Sequence, residues 1–230
     1  KKNTDKANIV FLRENEEIEL TIKFQKLDVP AINYEILEDN IGYIYVSSFS
    51  NTVTKQVKEA LIKLEEQNIE SLILDVRDNS GGYLSAAYDL ASVFIEKGKV
   101  IYSLADSKNK VSYEDKTEEH KKYPIIVLVN ENSASASEIL AAALKESYNA
   151  KLVGKKTYGK GKVQQTKQLS DGSMVKYTSA KWYTPNNTCI DGEGIIPDYE
   201  IDLAITYGDN QEIVEVKDSQ LLKAQELLNK

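Results

Sequence analysis

The sequence predicts an α/β fold in which buried strands alternate with helices. Residues 42–46, 72–76 and 125–129 are short apolar runs with β-branched or aromatic side chains, as is typical of strands in a sheet that is covered on both faces. Between them, residues 52–67 and 84–96 carry apolar side chains at helical spacing. Strands and helices in this order predict successive right-handed crossovers, which are characteristic of the α/β class.

Length and composition limit the range of functions. A chain of 230 residues buries about 70 to 75 % of its unfolded surface, so one large domain or two smaller ones fit the length. The formal net charge of −7 disfavours a nucleic-acid partner, because the field of the protein repels phosphate. The single cysteine, Cys189, excludes an intrachain disulfide and is expected to be partly buried.

The sequence also bears on membrane association. No apolar run approaches the roughly 20 residues that a membrane-spanning helix needs. The sequence starts at Lys1 rather than at a methionine. We therefore expect a fragment, in which any membrane contact would be made by a segment missing from this chain.

At the N-terminus, residues 8–24 predict a β-hairpin. Apolar and polar side chains alternate on both sides of a polar turn at residues 14–16, the pattern of two strands with one buried face. A lone hairpin is marginally stable in water, so this face is expected to pack on another element. Pro30 marks a change of element, and a domain boundary is predicted near Asp28.

The rest of the chain adds further elements. We predict strands at 100–104, 151–154 and 173–184, an exposed hairpin or loop at 107–122, and a helix at 219–228. The only histidine, His120, lies in a charged run that predicts a solvated side chain. A nucleophilic serine in this protein would therefore need a base other than histidine.

A serine-rich corner, residues 132–138, joins the strand at 125–129 to an alanine-rich helical run. Such a corner presents a hydroxyl beside the free amides of the first helical turn, where the helix dipole favours negative charge. Ser135 and Glu138 also fit the capping-box pattern, in which the serine only caps the helix. The corner alone leaves both interpretations open.

Lysine is the alternative base, and a glycine-punctuated basic loop at residues 155–162 contains the candidate Lys160. A lysine accepts a proton only when its amine is neutral, which requires desolvation or nearby like charge. The other lysines of the loop would provide that charge if they faced inward. Two other interpretations of the loop are a solvated turn and a phosphate-binding loop. The phosphate-binding motif has a serine or threonine directly after its lysine, whereas this chain has Gly161 there.

Gln164 lies four residues beyond Lys160. Residues four apart are about 13 Å distant on a straight strand but about 5 to 6 Å apart on a helical turn. If Gln164 orients Lys160, the chain has to bend around Gly161.

Two consecutive glycines, Gly81 and Gly82, follow the strand at 72–76. Glycine tolerates backbone conformations that turn amides away from a strand ladder, as an oxyanion hole requires. A tight strand-to-helix connection explains the same pair equally well.

Four motifs together resemble those of the C-terminal processing peptidases, or tail-specific proteases, which are serine proteases with a Ser-Lys dyad. In family order they occupy residues 75–82 (DVRDNSGG), 132–139 (NSASASEI), 154–164 (GKKTYGKGKVQ) and 191–198 (DGEGIIPD). The resemblance covers about residues 30–229. It implies a core related to the Clp protease and crotonase group.

The resemblance also implies a role for individual residues: a nucleophile, its base, a residue that positions the base, a supporting carboxylate and an oxyanion hole of backbone amides. These roles fall, in that order, on Ser135, Lys160, Gln164, Glu138, and the amides of Gly81, Gly82 and Ala136. No cofactor and no metal is implied.

The activity that the resemblance implies is endoproteolysis near the C-terminus of extended or unfolded proteins. The resemblance is compatible with a monomer and with a homo-oligomer. Family members are generally extracytoplasmic, so a location in the cell envelope is expected. They typically carry a PDZ domain, and residues 1–28 resemble only its last strands, without the glycine-containing loop that binds a terminal carboxylate. Residues 29–230 would form the protease core, including the C-terminal strand and helix.

Two other functions fit parts of the sequence. A latent or non-cleaving scaffold with the same fold would bind extended peptides without hydrolysing them. A crotonase-like acyl-transfer or hydratase enzyme would share the two-glycine oxyanion device, but it gives no reason for a serine and a lysine at this spacing.

Overall fold

The computed structural model describes residues 5–24, 29–207 and 213–229. Numbered in chain order, the strands are β1 (Lys6–Arg13), β2 (Glu16–Lys23), β3 (Ile32–Leu37), β4 (Ile41–Val46), β5 (Ser71–Asp75), β6 (Val100–Ala105), β7 (Lys110–Glu114), β8 (Ile125–Val129), β9 (Lys151–Gly154), β10 (Lys162–Gln168), β11 (Met174–Tyr183), β12 (Tyr199–Glu200), β13 (Ala204–Tyr207) and β14 (Ile213–Lys217). The α-helices are α1 (Val53–Glu65), α2 (Leu84–Ala91), α3 (Ala136–Ala143) and α4 (Ser219–Leu228). A 3₁₀ turn at Glu38–Asn40 precedes β4, and a π-helical turn at Leu144–Tyr148 extends α3.

A six-stranded sheet forms the core, in the spatial order β12, β9, β8, β5, β4 and β3. Its neighbouring strands are parallel except for β3 and β4, which are antiparallel at one edge. From β4 to β9 the chain steps across the sheet in one direction, so right-handed crossovers place α1, α2 and α3 on the same face. The predicted α/β class is confirmed.

Burial on both faces explains the continuous apolar strands. Leu72 and Leu74 of β5 pack in the cluster that α1, α2 and α3 share, whereas Ile73 packs in the cluster that contains Ala224 of α4. Successive side chains of a strand point to opposite faces, so a strand that is covered on each side needs apolar residues at successive positions. The C-terminal helix predicted at 219–228 is therefore the cover of the second face.

A second sheet is antiparallel, in the order β10, β11, β6 and β7. The strand predicted at 100–104 belongs to this sheet as β6. The stretch 107–122, which was expected to be an exposed hairpin or loop, supplies β7, and β7 pairs with β6. The end of β11 pairs with β6. There Trp182 is buried, and its indole Nε1 donates to the Lys160 carbonyl at 2.9 Å, so this sheet holds the backbone of the basic loop.

Two local predictions are wrong. The helix predicted at 84–96 ends at Ala91, and turns follow it in which Phe94 and Ile95 are buried. His120 is not solvated: only 18 % of its side chain is exposed, and its Nε2 lies 3.6 Å from Glu96 Oε1. In both places tertiary contacts, which the local pattern does not contain, decide the environment.

The predicted N-terminal hairpin is present as β1 and β2, with Glu14 and Asn15 at positive φ in the turn. Its predicted burial is wrong, because Ile9 is 43 % and Leu20 46 % exposed. The likeness of this segment to the end of a PDZ domain stays a prediction. The boundary predicted near Asp28 lies outside the described residues.

Of the helices in the described residues, none has both the length and the apolar character that crossing a bilayer requires.

Candidate active site

The site lies where β5, β8 and β9 end side by side. Asp75 of β5 pairs with Leu128 of β8, and Val129 of β8 pairs with Gly154 of β9. The two-glycine loop, the serine corner and the basic loop follow these strand ends in turn. Carboxyl ends of parallel strands meet at one edge of a sheet, so three motifs that are far apart in sequence converge there.

Ser135 is the N-cap of α3 and has φ 57° and ψ −111°, a conformation that is strained for a residue with a side chain. The predicted capping box is present, and Glu138 Oε2 accepts the Ser135 amide at 2.8 Å. Ser135 is partly exposed, whereas Ser133 and Ser137 are fully buried. Of the three serines of the corner, Ser135 is the one that a substrate can reach.

The two buried serines hold the corner in place. Ser133 Oγ donates to the Val76 carbonyl at 2.8 Å, and Ser137 Oγ donates to the Asn79 carbonyl at 2.7 Å. The same Asn79 carbonyl also accepts the Ala134 amide at 3.1 Å. The nucleophile corner is therefore fixed from both sides to the loop that follows β5.

The two predicted glycines lie beside this corner, and they differ in whether their amides already donate a hydrogen bond. Gly81 has φ +106°, and a Cβ built on it would lie only 2.9 Å from Ser135 Cβ. Its amide donates to Asn79 Oδ1 at 2.9 Å. Gly82 is exposed, and neither its amide nor that of Ala136 has an acceptor within the described part of the chain. The geometry therefore favours Gly82 over Gly81 as the partner of Ala136 in an oxyanion hole.

Glu138 connects the serine corner to the basic loop. Its side chain is fully buried, and its carboxylate accepts four hydrogen bonds. Oε2 accepts the amides of Ser135 at 2.8 Å and Lys160 at 2.9 Å. Oε1 accepts Thr157 Oγ1 at 2.6 Å and the Gly159 amide at 2.7 Å. The backbones of the two predicted dyad residues thus share one carboxylate oxygen.

The Lys160 side chain faces solvent. Its backbone is fixed by Glu138 and Trp182, but among the described residues no hydrogen bond joins its ammonium to the Ser135 hydroxyl. Lysine has a flexible four-carbon stem, so the ammonium can reorient while the backbone stays in place. Hydrogen bonds to the backbone therefore assemble the site, while the Lys160 side chain is exposed.

Other expectations for the basic loop are corrected. Lys155 pairs with Asp202 at 2.8 Å, and Lys162 lies 3.8 Å from Asp191, so these lysines do not crowd Lys160 with positive charge. The Gly159 and Lys160 amides donate inward to Glu138. A phosphate-binding loop needs such amides to point outward, so this alternative is excluded.

Gln164 makes no hydrogen bond to Lys160 in the described part of the chain. It lies in β10, opposite Thr178 and next to a register shift, and it is exposed. Gly161, where a bend was expected, precedes β10, and a Cβ there would lie 2.6 Å from Asp191 Cβ. The role of Gln164 in positioning the lysine stays a prediction.

Asn79 and Thr157 are the site residues to which the sequence assigned no role. Asn79 is fully buried, and its side chain donates to the Val46 carbonyl at 2.7 Å and accepts the Gly81 amide. Both residues lie inside motifs that carry the family resemblance. Their position within those motifs was the signal that could have identified them. Their roles could not be read from the sequence, because their hydrogen-bond partners are distant along the chain.

Asp78 fastens the two neighbouring loops to each other. Its Oδ1 accepts the side-chain amides of Asn132 at 2.7 Å and Asn130 at 2.9 Å. These hydrogen bonds, of which the one from Asn132 has the larger effect, hold the pKa of the Asp78 carboxyl below its usual value. Partial burial acts in the opposite direction and raises the pKa, but its effect is smaller. The carboxylate is therefore charged at neutral pH and keeps the serine corner beside the two-glycine loop.

Metal binding finds no support in the acidic side chains. No three His, Cys, Asp or Glu residues come together as a metal-binding group in the described ranges.

Comparisons with known proteins agree with this arrangement. A family model described as Peptidase family S41 matches residues 40–201. A probable CtpA-like serine protease of Staphylococcus aureus (strain N315) is 39 % identical over 205 residues, which cover 88 % of this chain and 41 % of that protein. One from Staphylococcus epidermidis is 38 % identical over 198 residues, covering 85 % and 40 %. The chain spans about two fifths of the length of these curated relatives.

Solved structures show the same similarity. The photosystem II D1 C-terminal processing protease superposes with a TM-score of 0.69 at 29 % identity, covering 86 % of this chain and 55 % of that one. A putative peptidase from Parabacteroides merdae ATCC 43184 superposes with a TM-score of 0.68 at 25 % identity, covering 87 % and 65 %.

Proposed function

The chain belongs to peptidase family S41, and from this premise we propose that it is a serine endopeptidase of the C-terminal processing type with Ser135 and Lys160 as its dyad. The observation that carries the proposal is the Glu138 carboxylate, whose Oε2 binds the amides of both residues. The partial exposure of Ser135 and its strained backbone support its role as nucleophile.

The proposed reaction begins with attack of Ser135 Oγ on a peptide carbonyl carbon while the hydroxyl proton passes to the Lys160 amine. The amides of Gly82 and Ala136 then stabilise the oxyanion. As the C–N bond breaks, Lys160 returns the proton to the leaving amine. Water next attacks the acyl-enzyme ester, which releases the new carboxyl end and restores the serine.

The exposure of Lys160 and the lack of a hydrogen bond from its ammonium to Ser135 in the described residues support a resting state in this proposal. A lysine serves as base only when its amine is neutral, and exclusion of water by a bound substrate favours the neutral amine. We therefore propose that an extended peptide, laid over the corner, moves the Lys160 amine to Ser135 and covers it.

Substrate, location and assembly are proposed from family membership. The substrate would be an extended or unfolded protein segment near its C-terminus. The protein would act outside the cytoplasm in the cell envelope, as a monomer or a homo-oligomer. Accessibility of the native protein to added protease in intact cells, before and after lysis, would test the location.

A fluorophosphonate probe and hydrolysis of an unfolded protein test the dyad. We expect the wild-type chain to be labelled and to hydrolyse the protein, and Ser135→Ala and Lys160→Ala to do neither. Ser133→Ala and Ser137→Ala remove hydroxyls that hold the corner but leave the nucleophile, so they should be labelled more slowly than the wild type but not lose labelling. Lys156→Ala, which replaces an exposed lysine of the same loop, is the control for the lysine and should be labelled like the wild type.

The outcomes separate the candidate functions. Labelling that persists in Ser135→Ala would remove this serine as nucleophile. A wild-type chain that binds an unfolded peptide but neither hydrolyses it nor reacts with the probe would support the non-cleaving scaffold.

Replacing Gly81 with alanine should displace the nucleophile. The new Cβ would lie 2.8 Å from the Ala134 carbonyl oxygen and 2.9 Å from Ser135 Cβ, at a φ of +106°. Because a misplacement of about 1 Å can cost up to 100-fold in rate, we expect peptide hydrolysis to fall at least about tenfold.

Gly98→Ala is the matched control for this substitution. Gly98 has φ +84°, but no described residue beyond its chain neighbours lies within 4 Å of a Cβ built on it, so alanine there adds backbone strain of about 1 to 2 kcal/mol without a clash. Hydrolysis by the folded fraction should be unchanged. Equal activity of the two variants would contradict the close approach of Gly81 to the nucleophile.

A further inference from the structure

Thr157 lies where three parts of the site meet. Its Oγ1 donates to Glu138 Oε1 at 2.6 Å and accepts the Ile195 amide at 2.7 Å, and its own amide donates to the Ile195 carbonyl at 3.1 Å. Its side chain is buried. Thr157 therefore joins α3, the basic loop and the segment at 191–198, the fourth of the sequence motifs.

The direction of the Thr157 hydroxyl is fixed by its partners. The Ile195 amide can only donate, so Thr157 Oγ1 has to accept from it, and the single hydroxyl proton is left for Glu138. Together with the Gly159 amide, this proton holds Oε1 of Glu138. Oε2 is then held toward the amides of Ser135 and Lys160.

From this hydrogen-bond chain we infer that Thr157 is a positioning residue of the proposed peptidase site. It acts through Glu138 and sets the separation between the backbones of Ser135 and Lys160. The segment at 191–198 supplies the Ile195 amide that orients the hydroxyl, which gives this motif a role in the reaction. The inference rests on the proposed function, because it assumes that Ser135 and Lys160 react together.

The shape of the segment supports the same role. Gly194 has φ +72°, and a Cβ built on it would lie 2.2 Å from the Thr157 carbonyl oxygen. The segment thus approaches Thr157 as closely as a glycine permits. Any side chain at 194 would push Thr157 toward Glu138 or force the segment away.

Thr157→Val tests the role of the hydroxyl, since valine keeps the shape and removes both hydrogen bonds. We expect kcat for a fluorogenic extended peptide to fall about 10- to 100-fold, with KM changed less than about twofold because the buried Thr157 does not touch substrate. Thr157→Ser keeps the hydroxyl and should restore kcat to within about threefold of wild type. Thr184→Val is the matched control: Thr184 is also buried, but its Oγ1 accepts the Thr188 amide away from the site, so kcat should stay unchanged.

A second pair of variants tests the same inference without removing the hydroxyl, and applies even if Thr157→Val does not fold. Gly194→Ala displaces Thr157, whereas Gly172→Ala, at φ +85° in the turn between β10 and β11, adds similar backbone strain without a clash, because no described residue beyond its chain neighbours lies within 4 Å of a Cβ built there. We expect kcat to fall in Gly194→Ala alone, with activities normalised to the folded fraction measured by circular dichroism.

The results distinguish this inference from the proposed function. If Ser135-dependent labelling of the wild type is present but Thr157→Val keeps its kcat, Thr157 does not position the dyad. The same follows if Gly194→Ala and Gly172→Ala have equal kcat, or if Thr157→Ser loses as much kcat as Thr157→Val. A wild type without Ser135-dependent labelling overturns the proposed function, and this inference with it.

Discussion

Glu138→Gln is expected to slow peptide hydrolysis by about two to three orders of magnitude and to destabilise the protein. The carboxylate accepts hydrogen bonds from Ser135, Thr157, Gly159 and Lys160, two at each oxygen. A glutamine amide has one oxygen and one NH₂ group. In either orientation of the amide, its NH₂ group would point at two of the four donors, which would then lose their acceptor.

The size of the effect follows from those unpaired donors. Hydrogen bonds to a charged group contribute about 1.5 to 3 kcal/mol each, so the loss of two predicts about 3 to 6 kcal/mol in the free energy of unfolding. Because the backbones of both dyad residues lose their common partner, hydrolysis by the folded fraction should fall roughly 100- to 1,000-fold. Urea unfolding and initial rates of hydrolysis measure the two effects.

Asp115→Asn is the matched control for Glu138→Gln. Asp115 is also a buried carboxylate, and it accepts the Thr117 amide at 2.9 Å away from the site. It should lose stability and keep its activity per folded molecule. A Glu138→Gln variant with wild-type activity would show that the shared carboxylate does not organise the dyad.

The parts of the fold that could be predicted from sequence are those with a local cause. β5 and β8 are apolar at successive positions because helices cover both faces of the sheet, and this burial is written directly into composition. The predicted limits of α4 match the structure, since its apolar positions recur at helical spacing.

The antiparallel sheet could not be predicted in the same way. β6 pairs with the end of β11, and neither strand contains a signal for the other, since pairing over long sequence separation depends on the whole fold. The predicted burial of the N-terminal hairpin is wrong for a related reason. Alternation shows which side chains share a face, but not whether anything covers that face.

In the candidate site, too, the features with a local sequence signal could be predicted and those made by long-range contacts could not. Motifs indicated Ser135, Lys160 and Glu138, and the strand order brings their loops to one edge. The four-donor arrangement at Glu138 and the role of Thr157 arise from hydrogen bonds between segments that are distant in sequence. Whether the Lys160 ammonium contacts Ser135 depends on the rotamer of an exposed side chain, which no sequence pattern encodes.

Arg77→Met should cost about 3 to 5 kcal/mol in the free energy of unfolding, as expected when one partner of a buried ion pair is removed. The guanidinium donates to Asp75, whose side chain is only 2 % exposed, with an Nη2–Oδ2 distance of 2.6 Å. It also donates to Asp218 at 2.8 and 2.9 Å and to Gln220 at 3.0 Å. Without it the Asp75 carboxylate stays buried without its cation, and the start of α4 loses its attachment to the end of β5.

The control for Arg77→Met is Lys55→Met. Lys55 pairs with Glu59 on the surface of α1, at 3.7 Å and with 77 % of the lysine side chain exposed, and exposed pairs contribute little. Its urea midpoint should be close to that of the wild type. An Arg77→Met midpoint equally close to the wild type would show that the buried network does not hold α4 to the sheet.

The same network predicts a loss of stability in acid. Burial raises the pKa of Asp218, but hydrogen bonds from Arg77 and from the Leu221 amide outweigh it and hold the pKa below its usual value. Because an unfolded aspartate titrates near about 3.9, the unfolded chain binds more protons below that pH. The contribution of Asp218 is therefore present above about pH 4 and is lost as the pH falls through the folded pKa. Urea midpoints measured from about pH 7 to 3 should fall more steeply for the wild type than for Arg77→Met, and parallel curves would contradict a charged Asp218 held by Arg77.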